Sequence, residues 1–299
     1  MADSILTVKH LNKSYGHQPV LRDVSFECTQ GRIVGLVGAN GAGKTTIMKA
    51  ILGLLSTDGE IQIAGESMQF DHHPILATVG SLIEYPSLYP YMSGWDNLRL
   101  FADGPDAQAR LAAVVSALNI TDYIHQKARH YSLWMKQKLG VALAFLNQPQ
   151  LVILDEPMNC LDPQGTKELR DFILKQKQAG VTFLISIHIL SELQKLADDL
   201  VIIDHGKIIE KTTMTALLTT TDHFVIVKTD HDGQAKAVLV AAGYQVVADT
   251  VVKVHLAPDH QVADVLHVLT SHGLTVRDVR HEAADLESTI LKLLATTSA

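Results

Sequence analysis

The sequence predicts an α/β fold, in which a mostly parallel, doubly wound sheet is followed by a small α+β unit. Two observations carry this prediction. Apolar runs of strand length, such as Leu151–Leu154 and Val181–Ser186, are separated by segments with apolar residues at helical spacing, and this alternation is typical of a parallel sheet with helices on both faces. A shorter pattern of strands and helices follows a threonine-rich stretch at residues 211–222.

Each predicted element of the larger part rests on a local pattern. Alternating or continuous apolar residues predict strands, and apolar residues at i, i+3, i+4 and i+7 predict helices. The predicted strands are Ile5–Leu11, Val20–Cys28, Arg32–Val37, Glu60–Ala64, Leu151–Leu154 and Val181–Ser186. The predicted helices are Thr46–Leu55, one through Leu111, Val114, Val115 and Leu118, Leu133–Leu146, and one through Leu169, Phe172 and Ile173. A turn is predicted at Asn12–Gln18 and a loop at Glu84–Tyr91.

The chain is predicted to divide into a domain at residues 1–211, a linker at 212–221 and an accessory α+β domain at 222–299. In the last of these, strands and helices follow in the order of a ferredoxin-like split β-α-β unit. Its predicted elements are strand His223–Lys228, helix Gly233–Ala242, strands Tyr244–Ala248 and Val251–Leu256, helix His260–Ser271, strand Leu274–Val279 and a final helix Asp285–Ala295.

Composition narrows the class of protein. Hydrophobic residues make up 47% and charged residues 19% of the chain, as in a folded globular protein, and the net charge of −7 argues against a nucleic-acid partner. No run approaches the roughly 18 apolar residues of a membrane span, and the N-terminus has no pattern of a secretory signal. Two cysteines, Cys28 and Cys160, form no disulfide framework. We therefore expect a soluble protein of the reducing cytosol.

Residues 38–45 read Gly-Ala-Asn-Gly-Ala-Gly-Lys-Thr, between a predicted buried strand and a predicted helix. In that setting the pattern indicates a phosphate-binding loop rather than a glycine-rich surface turn. We expect its glycines to allow positive φ and close approach, so that backbone amides point inward at a helix N-terminus. Lys44 then supplies a charge for the β- and γ-phosphates and Thr45 a hydroxyl for Mg²⁺. The predicted contacts of the nucleotide are Gly38, Asn40, Gly41, Ala42, Gly43, Lys44, Thr45 and Thr46.

Two carboxylates follow the apolar strand Leu151–Leu154. Asp155, at the carboxyl end of a sheet strand, is predicted to hold Mg²⁺ opposite Thr45. Glu156 is predicted to polarise the attacking water as a general base. An Asp-Glu pair also occurs as an ordinary helix cap, but the phosphate loop upstream favours the catalytic interpretation.

These motifs, in this order, resemble the ATP-binding subunit of an ABC transporter over roughly residues 4–211. The resemblance implies a P-loop NTPase fold of the ABC type, with an antiparallel β subdomain and a helical subdomain at about 85–150. It implies that Tyr15 stacks on adenine and that His188 senses the γ-phosphate. Asp162 matches the loop that crosses to the opposite subunit, and Ser132 and Trp134 stand in the signature segment.

A narrower resemblance, to the ATPases of the bacitracin-export and lantibiotic-immunity group, rests on the string Gly80–Pro86 and on Ile187–Glu192. Most ABC ATPases carry glutamine where Glu84 stands, and glutamate is a mark of this group. The resemblance makes Glu84 a third candidate for the metal, since a carboxylate accepts from metal-bound water. A surface charge on a loop is the alternative interpretation of Glu84.

Trp134 departs from the family, which carries glycine at this signature position. The amide of that glycine approaches the γ-phosphate bound by the partner subunit, and an indole is bulky. We therefore predict reduced turnover, with Trp134→Gly raising the ATPase rate. The alternative is that the backbone still reaches the phosphate while the ring swings outward.

The resemblance implies ATP and Mg²⁺ as cofactors, a second ATP-binding subunit, either a second copy of this chain or a related one, and a separately encoded permease. We expect an ATPase on the cytoplasmic face of the membrane that powers export of a peptide antibiotic or a related compound. Two alternatives stay open. One is a regulatory subunit that binds ATP and hydrolyses it weakly, and the other is a soluble ABC ATPase that is not coupled to transport.

Overall fold

The computed structural model describes residues 3–68, 70, 73–159, 161–219, 223–247, 251–256, 261–283 and 289–290 of the chain. Two compact units divide the molecule, Met1–Met214 and Thr215–Ala299. Their boundary falls inside the segment 212–221 that the sequence assigns to a linker.

Within the described residues, the first unit contains ten strands, six α-helices and two short 3-10 helices, Pro74–Thr78 and Ala128–His130, and a seventh α-helix begins at its last residue. The strands are β1 (Ser4–Tyr15), β2 (Gln18–Thr29), β3 (Ile33–Val37), β4 (Asp58–Ile63), β5 (Glu66–Ser67), β6 (Val79–Leu82), β7 (Leu151–Asp155), β8 (Thr182–Ser186), β9 (Asp199–Asp204) and β10 (Lys207–Thr213). The helices are α1 (Lys44–Ile51), α2 (Gly94–Arg99), α3 (Ala107–Ala117), α4 (Leu133–Phe145), α5 (Pro163–Gln178), α6 (Leu190–Leu196) and α7 (Met214–Thr219). Among the described helices, none combines the length and the apolar character that a bilayer crossing requires.

A six-stranded sheet in the order β10-β9-β3-β8-β7-β6 forms the centre of this unit. Its strands are parallel except β10, which is antiparallel to β9. Every residue of β3, β7 and β8 is buried, which accounts for their continuous apolar sequences. The α/β class is confirmed, and the carboxyl ends of these three neighbouring strands place the segments that follow them at one edge of the sheet.

A second, antiparallel sheet has the order β2-β1-β4-β5. The turn predicted at Asn12–Gln18 is present but shorter, because β1 continues to Tyr15, which pairs with Gln18 across a two-residue turn. Gly16 in this turn has φ 58°, a value that glycine adopts without strain. The outer halves of both strands are largely exposed and therefore lack the apolar alternation that marks a strand in sequence.

The first helix differs from its prediction at both ends. We predicted Thr46–Leu55, whereas α1 spans Lys44–Ile51. It ends early because Gly53 adopts φ 67° and the amide of Leu54 donates to the Lys49 carbonyl (2.9 Å), a left-handed termination typical of helix ends. Short strands and helices that the sequence pattern did not predict include β5, β6, β9, β10, α2 and α6.

The predicted linker is regular structure where it is described. Residues 212 and 213 end β10, and α7 follows directly. Thr212 and Thr213 pair with β9, as β-branched residues favour, and Thr215 and Thr219 lie in α7, so a composition bias without periodicity did not mean irregular chain in the described part of this segment.

The second unit contains β11 (His223–Thr229), α8 (Asp232–Ala241), β12 (Val252–Leu256), α9 (Val262–Ser271) and β13 (Val276–Ala283). Its antiparallel sheet has the order β12-β11-β13. The predicted strand Tyr244–Ala248 is represented by a single bridge between Val246 and Val254, and its last residue lies outside the described residues. Of the predicted helix Asp285–Ala295, only residues 289–290 are described. The core of the second unit consists of apolar residues from α8, α9, β11 and β12, among them Val225, Val254, Leu239 and Leu269.

Candidate functional site

The loop at residues 38–45 connects β3 to α1 at the carboxyl edge of the central sheet. Gly41 and Gly43 adopt φ 83° and 112°, so positive φ is required at both positions as the sequence predicted. Gly38 does not have positive φ. It is needed for space, because a Cβ there would collide with the carbonyl of Ile203. Gly43 is the N-cap of α1 and provides no side-chain cap, so amides of the first turn are left for another acceptor.

Lys44 lies at the first position of α1 and is only 6% exposed. Its Nζ donates to the carbonyls of Gly38 (2.7 Å) and Ala39 (3.1 Å) within the same loop. Burial lowers the pKa of the Lys44 ammonium, while the carboxylates of Glu156 and Asp155 oppose that shift. The loop therefore holds a buried cation beside the N-terminus of a helix, an arrangement that favours anions.

Thr45 and Asp155 meet across the edge of the sheet. The Thr45 hydroxyl donates to Oδ2 of Asp155 (2.6 Å), and the Ser186 hydroxyl donates to the other carboxylate oxygen. Asp155 is 7% exposed and follows directly on the buried strand residues of β7. A hydroxyl and a carboxylate side by side offer the hard oxygen ligands that Mg²⁺ prefers, so these two residues fit that cation.

Glu156 follows Asp155 with φ 48°, a left-handed conformation that is unusual for glutamate. Its amide donates to the carbonyl (3.1 Å) and to the hydroxyl (2.9 Å) of Ser186. Its side chain accepts from the Asn159 amide, and Nδ1 of His188 lies 3.3 Å from the same oxygen. Three neighbours thus fix the backbone and the carboxylate of Glu156.

Ser186 and Asn159 were not among the predicted site residues. Ser186 had a detectable signal, because it ends the strand whose register places it opposite Asp155. Asn159 contacts the site through a loop, and its contact with Glu156 has no signature in sequence spacing.

An open cavity of about 610 Å³ joins these groups. Six of the predicted site residues line it, which brings together parts of the chain that are far apart in sequence. Its lining residues are Asn40, Thr45, Glu84, Tyr85, Leu133, Gln137, Asp155, Glu156, Asn159 and His188.

Glu84 lines this cavity, but its carboxylate pairs with a lysine of α1 and not with the Thr45-Asp155 pair. Its Oε1 is 2.6 Å from Nζ of Lys49, a residue of α1, and its backbone has φ 60°. The two side chains are 59% and 31% exposed. The carboxylate is therefore held at the rim of the cavity by a lysine on the helix that follows the phosphate loop.

Tyr15 ends β1 and is half exposed, with Nζ of Lys13 5.2 Å from the centre of its ring. It is not among the residues that line the cavity. Ala42 and Thr46 lie in the loop and in the first turn of α1, where Ala42 is buried and Thr46 is half-buried.

Ser132, Trp134 and Asp162 are also absent from the cavity lining. Ser132 caps α4, and its hydroxyl accepts from the amide of Met135 (3.2 Å). Asp162 caps α5, and its Oδ1 accepts from the amide of Gly165 (2.7 Å). The indole of Trp134 packs within its own chain, with Nζ of Lys138 4.4 Å from the ring centre. These three side chains therefore lie outside the lining of the cavity, although Leu133, between Ser132 and Trp134, belongs to it.

Comparison with known proteins gives consistent matches. The family model described as ABC transporter matches residues 21–159. An uncharacterised ABC transporter ATP-binding protein, YdbJ of Bacillus subtilis (strain 168), is 35% identical over 305 residues, which cover 100% of this chain and 97% of that protein. The bacitracin transport ATP-binding protein BcrA of Enterococcus faecalis is 31% identical over 300 residues, covering 97% and 96% of the two chains.

Two further matches cover about seven tenths of the chain. The lantibiotic transport ATP-binding protein SrtF of Streptococcus pyogenes is 39% identical over 207 residues, covering 69% of this chain and 89% of that protein. A solved structure described as the ATP binding subunit of an ABC transporter superposes with a TM-score of 0.66 at 32% identity, covering 72% of this chain and 92% of the other.

Proposed function

The chain belongs to the ATP-binding subunits of ABC transporters, which hydrolyse ATP, and from this premise we propose that it powers the export of a peptide antibiotic or a related compound. Support for that substrate class comes from relatives that carry bacitracin transport and lantibiotic transport in their names. Family membership implies a transmembrane permease as partner. We propose that this permease is encoded separately and holds the transported compound.

The observation that carries the catalytic proposal is the contact of Thr45 with Asp155 beside Glu156, at the N-terminus of α1. We propose that the phosphates of ATP bind at the first-turn amides of α1 and at Lys44. Negative charge is stabilised there by the helix dipole and by the buried ammonium, and neither has to be reorganised during the reaction.

Thr45 and Asp155 are the proposed ligands of Mg²⁺. The cation would neutralise charge on the phosphate oxygens during transfer. Glu84 is the third proposed ligand, from the rim of the cavity. From there its carboxylate would accept a hydrogen bond from metal-bound water, while its ion pair with Lys49 offsets the negative charge that it adds near the phosphates.

Glu156 is the proposed general base. It accepts a proton from the attacking water while the water oxygen bonds to the γ-phosphorus and the bond from that phosphorus to the bridging oxygen breaks, releasing ADP. Ser186 fixes the backbone of Glu156, and Asn159 and His188 orient its carboxylate. His188 is half exposed on the cavity side, which suits its proposed contact with the γ-phosphate.

We propose that two ATP-binding subunits form the complete site, as a homodimer or with a related chain. The chain has one phosphate loop, and Ser132, Trp134 and Asp162 do not line the cavity beside it. In the proposed dimer these residues face the nucleotide of the partner, and Tyr15 stacks on adenine of its own nucleotide. A two-fold arrangement gives both sites the same parts.

The loop after Glu84 is the proposed contact with the permease. Tyr85, Tyr89 and Tyr91 are 71%, 53% and 73% exposed, and a run of exposed aromatic side chains is typical of a protein interface. The site next to this loop is the nucleotide cavity, so docking there links nucleotide state to the permease. The subunit is accordingly proposed to be peripheral on the cytoplasmic face of the membrane.

The test is to express the chain in a sensitive bacterial host together with the permease encoded next to it. The resistance of that host to bacitracin and to lantibiotics is then measured. We expect resistance with the wild type and loss of it with Glu156→Gln, whereas the exposed control Glu66→Gln retains it. Equal resistance with and without Glu156 refutes the export proposal. Loss of ATP hydrolysis with unchanged ATP binding in Glu156→Gln identifies the base, and unchanged hydrolysis in that variant refutes its role.

A further inference from the structure

Trp134 replaces the glycine that the family carries in the signature segment, so the family pattern does not explain where its indole lies. It occupies the first turn of α4, one turn before Lys138. Its indole Nε1 is buried and has no hydrogen-bond partner within the described part of the chain, which is unfavourable for a polar donor. The ring therefore takes this position for packing, not for a hydrogen bond.

The indole packs on the first turn of α5. A Cβ at Gly165 would collide with the indole nitrogen, so the glycine makes room for the ring. The ring of Tyr123 also packs against the indole, with the two ring centroids 6.1 Å apart. The contact is specific to this pair, because any other residue at position 165 would displace the indole.

Lys138 adds a second connection between the same two helices. Its Nζ lies 4.4 Å from the centre of the indole and 2.6 Å from Oε2 of Glu168 on α5. The lysine side chain is 2% exposed, so its ammonium is held between an aromatic face and a carboxylate. α4 and α5 are thus joined at Trp134 with Gly165 and at Lys138 with Glu168.

The first turn of α5 leads directly to the hydrolytic centre. Asp162 caps this turn through the amide of Gly165, and the preceding loop carries Asn159, whose side chain bonds the carboxylate of Glu156. A short path of contacts therefore runs from the indole through Gly165 and the loop to the proposed base.

We propose that Trp134 is a positioning residue that couples the start of the signature helix to the loop of Asp162 and through it to Glu156. This inference rests on the proposed function, in which the signature serves the nucleotide of the partner subunit and Glu156 serves its own. The indole then transmits the closure at one site to the base of the other. It does not act as an obstruction, so its removal lowers turnover instead of raising it.

The test compares Trp134→Gly and Trp134→Phe in the ATPase activity of the assembled transporter. We expect Trp134→Gly to lower kcat about tenfold and to bring the Hill coefficient for ATP toward one, with little change in the binding of a fluorescent ATP analogue to the isolated subunit. Trp134→Phe keeps a ring on Gly165 and retains most of the activity. Trp95→Gly, which removes the other tryptophan of the chain, leaves the Hill coefficient unchanged. An equal or higher rate in Trp134→Gly overturns the proposal.

A second variant tests the contact itself. Alanine is a better helix former than glycine, so a glycine-to-alanine substitution in an exposed helix normally raises the melting temperature. Here we expect it to lower the melting temperature with Trp134 present and to raise it in the Trp134→Gly background. Additive effects of the two substitutions overturn the packing on which the proposal depends.

Hydrogen exchange separates this proposal from the proposed function. We expect Trp134→Gly to speed amide exchange over residues 159–166 of the isolated subunit, and Trp134→Phe to leave it slow. This readout does not need ATP hydrolysis, so it stands if the wild type proves inactive in transport. Unchanged exchange in Trp134→Gly overturns the coupling, whereas faster exchange with an inactive wild type refutes only the proposed function.

Discussion

Nζ of Lys49 lies 2.6 Å from Oε1 of Glu84, so the helix after the phosphate loop carries the cation that pairs with the distinctive glutamate of this chain. Most ABC ATPases have glutamine at that position, and an additional negative charge beside the phosphates is unfavourable. Lys49 offsets this charge. Both side chains are partly exposed, so the pair itself stabilises the fold by no more than about 0.5 kcal/mol. We therefore expect the pair to change the affinity for the nucleotide more than the stability of the fold.

We predict that Lys49→Met weakens the binding of ATP with Mg²⁺ by about fivefold, because an unpaired Glu84 repels the phosphates by about 1 kcal/mol. Adding Glu84→Gln restores affinity, since it removes the charge that Lys49 offsets. Titration calorimetry on the double-mutant cycle measures this, with the exposed Lys207→Met as control. Equal affinities for the single and the double variant contradict the interpretation.

Ser186 is predicted to matter for both carboxylates. It is fully buried, donates to Asp155 and accepts from the amide of Glu156. Ser186→Ala removes one hydrogen bond from Asp155 and one from the amide of Glu156, which costs about 2 kcal/mol of stability and misaligns the base. We expect a lower melting temperature and a kcat at least tenfold lower, measured by phosphate release. Ser116→Ala, on the exposed side of α3, leaves both values unchanged.

Acid stability is predicted to depend on Glu168. The pKa of this carboxyl is lowered, mainly because Lys138 donates to it and also because Gln164 does. A lowered folded-state pKa contributes stability above the ordinary pKa of glutamate, about 4.3, and this contribution is lost as the pH falls through the folded value.

Glu168→Gln therefore lowers stability by about 2 kcal/mol at pH 7, because it leaves a buried ammonium unpaired. The difference from wild type shrinks as the pH falls below about 4.3, the ordinary pKa of glutamate, toward the lowered pKa at which Glu168 in the folded protein becomes protonated. Urea unfolding at several pH values measures this difference. A constant difference across the range contradicts the linkage, and the exposed Glu210→Gln serves as control.

Cys28 is predicted to be inert in the folded protein. It is a buried free cysteine of β2, and burial raises the pKa of its thiol far above the usual value. In a Cys160→Ser background, a thiol reagent should label Cys28 only after denaturant is added. The labelling rate then equals the rate of unfolding, and rapid labelling of the native protein contradicts the structure.

Local patterns were sufficient for the elements that are buried or periodic. The continuous apolar runs of β3, β7 and β8 identify central strands because both faces of a parallel sheet are covered. The predictions for β1 and β2 were too short, because the exposed halves of these strands lack the alternation of apolar residues. β6 was not predicted at all, because four residues are too few to show a period.

The candidate site could be predicted from the sequence as far as it depends on a local motif. The phosphate loop and the Asp155-Glu156 pair each lie directly after a buried strand, and the parallel register of those strands brings them together. Contacts between distant segments have no such marker. Lys49 with Glu84 and Trp134 with Gly165 follow from packing and could be found only in the structure.

The sequence by itself determined the phosphate loop, the two carboxylates and the family, because each depends on residue types at fixed spacing along one strand and the loop after it. Only the tertiary structure decided what surrounds them. It gave Gly38 a role in close approach instead of positive φ, and it placed the Trp134 indole on α5 of its own chain. The physical reason is that side-chain contacts are set by the packing of whole elements, which no local pattern contains.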